Sequence, residues 1–134
     1  KFVKIGKEHF ENGRLNFFNT IKDCTEKNNP NILLLSSVLQ YIEKPYELLD
    51  VILEHNFEFI VIDRTQFSTS DERITLQVVP PYIYDASYPC WFLDKKKFID
   101  YFTNKNYLVI EEFEALGGNS KEYFHQGFIL EKIH

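Results

Sequence analysis

Two short polar clusters stand where apolar runs end, and both carry residue types that bind and orient small molecules. Ile32-Leu33-Leu34-Leu35 gives way to Ser36-Ser37-Val38-Leu39-Gln40-Tyr41, and Phe59-Ile60-Val61-Ile62 gives way to Asp63-Arg64-Thr65. A carboxylate at a strand end, facing a cleft, is well placed as a general base, which makes Asp63 the catalytic candidate. The fork of Arg64 binds a carboxylate or phosphate through two parallel N–H bonds and so suits an anionic acceptor. Ser36, Ser37, Gln40, Tyr41 and Thr65 add hydroxyl and amide groups that orient a substrate. A structural account competes at each position. Ser36 and Ser37 can end a strand and cap the following turn, and Asp63 and Arg64 can pair with each other.

Residues 66–93 read as a long irregular insert: Ser, Thr, Asp and Gln, then Pro80-Pro81, then Tyr82, Tyr84, Tyr88, Pro89, Cys90 and Trp91. Flat rings with polar tips stack well on sugars or lipid-linked groups. Tyr88 and Trp91, with Tyr82 and Tyr84, are therefore candidates for an acceptor-binding wall, against the alternative that they pack the insert onto the sheet. Cys90 has no local base and reads as a buried structural thiol. His9, His55, His125 and His134 show no HxH or HxxxH spacing, so no metal is expected. Ser37, flanked by Ser36 and Val38, lacks the GxSxG elbow of a hydrolase nucleophile.

The elements that must position these groups follow from apolar patterning. Continuous apolar runs at 32–35 and 57–62 are the pattern of strands covered on both faces, as in parallel sheets. Between them Pro45 pre-sets a first helical turn, and Leu48, Leu49, Ile52 and Leu53 share one helical face, completing a βαβ unit. Asp94 is expected to cap a helix whose inner face carries Phe98, Ile99 and Phe102. Tyr107–Glu112 and Gly127–Ile133, joined through Gly117-Gly118-Asn119, are expected to pair as antiparallel strands. Upstream, the sequence suggests a helical turn over Lys7–Asn12 ended by Gly13, and a short strand at Leu15, Phe17 and Phe18. The order predicts an α/β chain, one domain over 1–134, with a mainly parallel mixed sheet and an antiparallel last strand. That is the carboxyl-terminal half of a Rossmann-like, doubly wound arrangement.

Composition bounds the partners. The 134 residues are 44% hydrophobic, enough for a core, and carry a net charge of −5. No basic surplus exists to bind nucleic acid, since Lys95-Lys96-Lys97 is flanked by Asp94 and Asp100. No apolar run approaches the ~20 residues of a membrane span. Two separated cysteines form no disulfide framework, and a cytoplasmic location is expected.

In sequence order, ILLLSSVLQYIEKP (32–45), IVIDRTQFS (60–68), RITLQVVPP (73–81) and SYPCWFL (87–93) resemble an uncharacterised family of methyltransferases associated with bacterial surface-polysaccharide gene clusters. The resemblance runs from about Gly6 to Lys132. It implies a class I S-adenosylmethionine-dependent methyltransferase fold, of which a mixed sheet with an antiparallel last strand is one hallmark. It also implies that Ser36–Tyr41 lies beside methyl donor and acceptor, that Asp63-Arg64 sits near the acceptor, and that the acceptor is a saccharide-related small molecule.

One departure qualifies this. The class holds its cofactor with a glycine-rich turn after the first strand and an acidic residue after the second. Here the glycines are Gly6, Gly13, Gly117, Gly118 and Gly127, with no GxG. The resemblance thus implies that S-adenosylmethionine is held in a full-length parent by residues upstream of Lys1. The chain is then a fragment, binding no cofactor tightly and inactive alone. The alternative function is a non-catalytic α/β interaction module or degenerate methyltransferase half. A sheet lacking its central strands leaves an unpaired edge, which invites a homodimer.

Overall fold

The computed structural model of the chain describes residues 1–133; His134 lies outside them. Two compact units divide the chain, Lys1–Asn31 and Ile32–His134.

The first unit holds helix α1 (Phe2–His9) and helix α2 (Ile21–Asn28). Helix α1 begins five residues before the expected turn at Lys7 and is over before Gly13, so Gly13 does not end it. Gly6 is needed for close approach instead: a Cβ there would lie 2.5 Å from the Phe17 ring. Leu15, Phe17 and Phe18 form no strand. Asn12 Oδ1 accepts from the amides of Arg14 (2.8 Å) and Leu15 (2.9 Å), and Glu11 Oε1 accepts from Phe17 N (3.1 Å). Side chains thereby take the donors that a strand partner would use. Thr20 caps α2 by accepting from Asp23 N at 3.0 Å, and Asn29, at φ 44°, closes it in the left-handed conformation.

The second unit runs β1 (Ile32–Ser36), a 3₁₀ turn (Leu39–Tyr41), α3 (Pro45–Leu53), β2 (Phe59–Ser68), β3 (Arg73–Val78), β4 (Ser87–Phe92), α4 (Lys95–Thr103), β5 (Tyr107–Glu114) and β6 (Tyr123–Lys132). Four strands form a mixed sheet in the order β1-β2-β6-β5. β1 is parallel to β2, and β6 is antiparallel to both β2 and β5. The expected α/β class and the antiparallel closing pair are therefore present. The expected parallel majority is not, because β6 inserts between β2 and β5 and leaves one parallel contact.

One face of the sheet carries the core. Leu35, Ile60, Ile62, Phe128, Leu130 and Tyr107 are buried with Leu49 and Ile52 of α3 and Phe98 and Phe102 of α4. Rings dominate: Phe67 lies 5.3 Å from Phe98, 5.9 Å from Phe124 and 5.6 Å from Phe128. The buried phenol of Tyr107 donates to Phe57 O at 2.6 Å, so it carries no unpaired polar cost. The ring of Phe113 lies over Gly127, its cross-strand neighbour, where a Cβ would meet it at 2.2 Å. On the opposite face Ile32 and Leu34 remain 53% and 62% exposed, so β1 is not covered on both faces as its apolar run suggests.

Residues 66–93 are not an irregular insert. They continue β2 to Ser68 and then form the antiparallel β3–β4 arm. Arg73-Ile74-Thr75-Leu76-Gln77-Val78 alternates polar and apolar residues, the period of a strand with two different faces. Ser68 N donates to Leu93 O (2.8 Å) and Leu93 N to Gln66 O (3.0 Å), tying the arm's base to β2. Phe67→Ala is expected to cost about 3–5 kcal/mol in urea unfolding, as deletion of a central ring does. Leu116→Ala, at a site 85% exposed, should stay within about 0.5 kcal/mol of wild type.

Candidate functional site

The site is built on a bulge. Ile62 pairs with Phe128 and Thr65 with Gln126, so Asp63 and Arg64 together stand opposite Gly127 alone. Arg64 adopts φ 48°, and Ser37, at the end of the neighbouring strand, adopts φ 53°. Left-handed backbone at a residue with a Cβ costs on the order of 1–3 kcal/mol and persists where its surroundings over-determine it. Two hydrogen bonds do that here. Ser37 N donates to Asp63 O at 3.0 Å, and the amide of Gln40, itself only 2% exposed, donates to Arg64 O at 3.0 Å.

The side chains converge at the carboxyl ends of the parallel pair, where Ser36 and Asp63 are in register. The Ser36 hydroxyl donates to Asp63 Oδ2 at 2.9 Å and accepts from Arg64 Nε and Nη2, each at 3.2 Å. Arg64 Nε lies 3.5 Å from Asp63 Oδ2. The structural pairing is thus real, and it leaves both charged groups within reach of solvent, 31% and 48% exposed. Thr65 is different: it is fully buried, its hydroxyl has no partner, and neither has Gln40 Oε1. Thr65 therefore lies beneath the bulge rather than on the surface that a substrate meets.

Gln40 and Tyr41 are consecutive in the 3₁₀ turn, so the bulge adjoins an aromatic recess. Tyr41 meets Tyr88 edge-on at 5.4 Å, and the two, with Tyr84, line a cavity of about 320 Å³. Tyr41 donates to Gln77 Oε1 at 3.3 Å. Burial, then the nearby Cys90, hold the Tyr41 phenol above its ordinary pKa, while a hydrogen bond with Tyr84 leads the causes that lift Tyr88 to about 12. Trp91 is elsewhere. Its indole donates to Ile42 O at 3.1 Å, and the residue lines a separate recess with Pro45, Tyr46 and Glu72. Tyr82 stands 87% exposed at the arm's tip.

Glu72 has no signal in the sequence, lying in a polar run between Asp71 and Arg73, yet it lines a recess of about 770 Å³ beside Tyr46, Lys97 and Tyr101. Its carboxylate accepts from the Tyr46 phenol (3.1 Å), from Asp94 N (3.2 Å) and from Lys97 Nζ. Burial, followed by the Glu72 charge, pushes the Tyr46 phenol far above its usual range. A carboxylate with both oxygens so engaged braces α3, α4 and the arm. Cys90 likewise is structural: Sγ donates to Gln66 Oε1 at 2.8 Å, and burial pushes the thiol up to about 11.

Among the described residues no group of three or more His, Cys, Asp or Glu is placed to hold a metal ion, and no helix is long and apolar enough to cross a membrane. No family model, curated protein or solved structure matches the chain.

Three outcomes follow for these residues. Ser37→Gly, which removes the Cβ from a left-handed position, should raise stability by up to about 1 kcal/mol in denaturant titration. Thiol titration at neutral to mildly alkaline pH should report partly exposed Cys24 and leave Cys90 silent until denaturant is added. Because folding raises the Cys90 pKa from about 9 to about 11, its linkage leaves stability full below pH 9 and erodes it as pH rises toward 11.

Proposed function

We propose that the chain is the acceptor-binding, carboxyl-terminal part of a class I S-adenosylmethionine-dependent methyltransferase, working in the cytoplasm on an anionic, saccharide-related small molecule. One observation carries the reading: β6 runs reversed between β2 and β5, which share a direction, while the polar bulge stands at the carboxyl ends of the parallel pair. Ligands of open α/β sheets bind outside those ends. Arg64 spends two of its five N–H groups on Ser36 and offers its outer edge to a carboxylate or phosphate. Asp63, hydrogen-bonded by Ser36, takes the proton of an acceptor hydroxyl. The Tyr41, Tyr84 and Tyr88 recess stacks the sugar ring.

The residues present do not fit the methyl donor itself. The turn after β1 carries Ser37 in the left-handed region, where a glycine would let backbone approach a ligand, and none of the chain's glycines has positive φ. No step through the cofactor is assigned to these residues; their part is to bind the acceptor and remove its proton.

Equilibrium dialysis of the 134-residue chain with S-adenosylmethionine should give a Kd of about 1 mM or weaker, some −4 kcal/mol. The protein expressed from its complete gene should bind the donor and methylate an anionic saccharide, with Arg64→Lys raising KM more than it lowers kcat. Micromolar donor binding by the 134-residue chain would contradict its assignment to the acceptor side. A folded full product that binds no donor would overturn the methyltransferase reading.

A further inference from the structure

We infer that the outer face of the β3–β4 arm is a self-association surface on which two copies of the chain pack about a two-fold axis. The arm's two faces differ. Gln77 and Tyr88 face Tyr41, and Cys90 faces Gln66, so this side is turned toward the rest of the unit. The alternate positions of β3 project the other way: Ile74, Leu76 and Val78 are 52%, 65% and 67% exposed, and Ile83 and Tyr82 continue the apolar surface at the tip.

Strands that end a sheet are normally protected by lysines, bulges or covering segments. β3 pairs with β4 alone and has no register shift. Charge is nearly absent: of the twenty residues from Ile74 to Leu93 only Asp85 is charged, in a chain that is 26% charged overall. The exposed apolar side chains of the arm outside the tyrosine recess, Ile74, Leu76, Val78, Tyr82 and Ile83, present an area on the order of the ~800 Å² that each partner contributes to a standard interface. Monomeric surfaces seldom leave such a patch uncovered.

The occupant is a second copy because a two-fold contact sets a patch against itself. A charged patch repels its own image, whereas a neutral apolar one does not. Leu76 is midway between Ile74 and Val78, so an axis through it places Ile74 of one copy beside Val78 of the other and the two Leu76 side chains in contact. The surface is independent of the proposed acceptor site, whose Tyr41 and Tyr88 lie on the arm's inner side.

Sedimentation velocity over about 1 to 100 µM should show a monomer–dimer equilibrium with micromolar Kd. Leu76→Asp should weaken it by about 100-fold or more, while Leu116→Asp, a still more exposed control outside the arm, should leave it unchanged. Circular dichroism melts of both variants check that the fold is retained. In a Cys24→Ser background Leu76→Cys should form a disulfide-linked dimer under mild oxidation, a readout that holds even if Leu76→Asp unfolds. A monomer throughout this range, or one that instead sediments with neutral phosphatidylcholine vesicles, would overturn the proposal. So would a dimer indifferent to Leu76→Asp, or one cross-linked by Ile32→Cys on the open sheet face but not by Leu76→Cys.

Discussion

β2 has to satisfy a parallel neighbour on one side and an antiparallel neighbour on the other, and the second unit depends on how it does so. Parallel and antiparallel ladders space their hydrogen bonds differently. Over Phe59–Ile62 the strand serves both β1 and β6; at Asp63-Arg64 it bulges, and beyond Thr65 it continues with β6. The bulge re-aims the chain, as bulges beside functional sites do. It turns Asp63 and Arg64 toward Ser36, buries Thr65, and carries β2 on to Ser68, where Leu93 anchors the arm.

The strain in that bulge is offset locally. Arg64 at φ 48° and Ser37 at φ 53° are held by the Gln40 amide and by the Ser37–Asp63 backbone bond. Three residues further on, Phe67 enters a cluster of rings whose packing leaves the strand no freedom to slip. A one-residue slip would exchange its buried and exposed faces. The polar groups at the strand ends are thus held by the fold itself, which would reduce the ordering cost of the proposed binding.

Much of the frame was legible from residue types. Pro45 begins α3, and Asp94 caps α4 by accepting from Lys97 N at 2.6 Å. The apolar runs at 32–35 and 59–62 are β1 and the first half of β2, whose parallel pairing sets Ser36 in register with Asp63. The bulge was not legible, since nothing about arginine or serine signals positive φ. Nor was the arm, whose Thr75 and Gln77 read as loop residues until alternation assigns them to one face. That alternation also separates the aromatic candidates: Tyr88 and Trp91 are three residues apart on β4, so they point to opposite faces. Tyr88 joins Tyr41, and Trp91 goes to Ile42. Glu72 is a brace only because Tyr46, Asp94 and Lys97 converge on it from separate elements, which local sequence does not reveal.

The proposed binding of an anion at the outer edge of Arg64, beside the tyrosine recess, is tested most directly by NMR. A hexose phosphate titrated into the isotope-labelled chain should shift the Arg64 Nε–H signal, the amides of Ser36, Ser37 and Thr65, and the ring signals of Tyr41 and Tyr88, and Arg64→Ala should abolish these shifts. Absence of any shift at tens of millimolar ligand, where a Kd near ~1 mM saturates, would contradict the account. Shifts confined to the lysines of α4 would do the same.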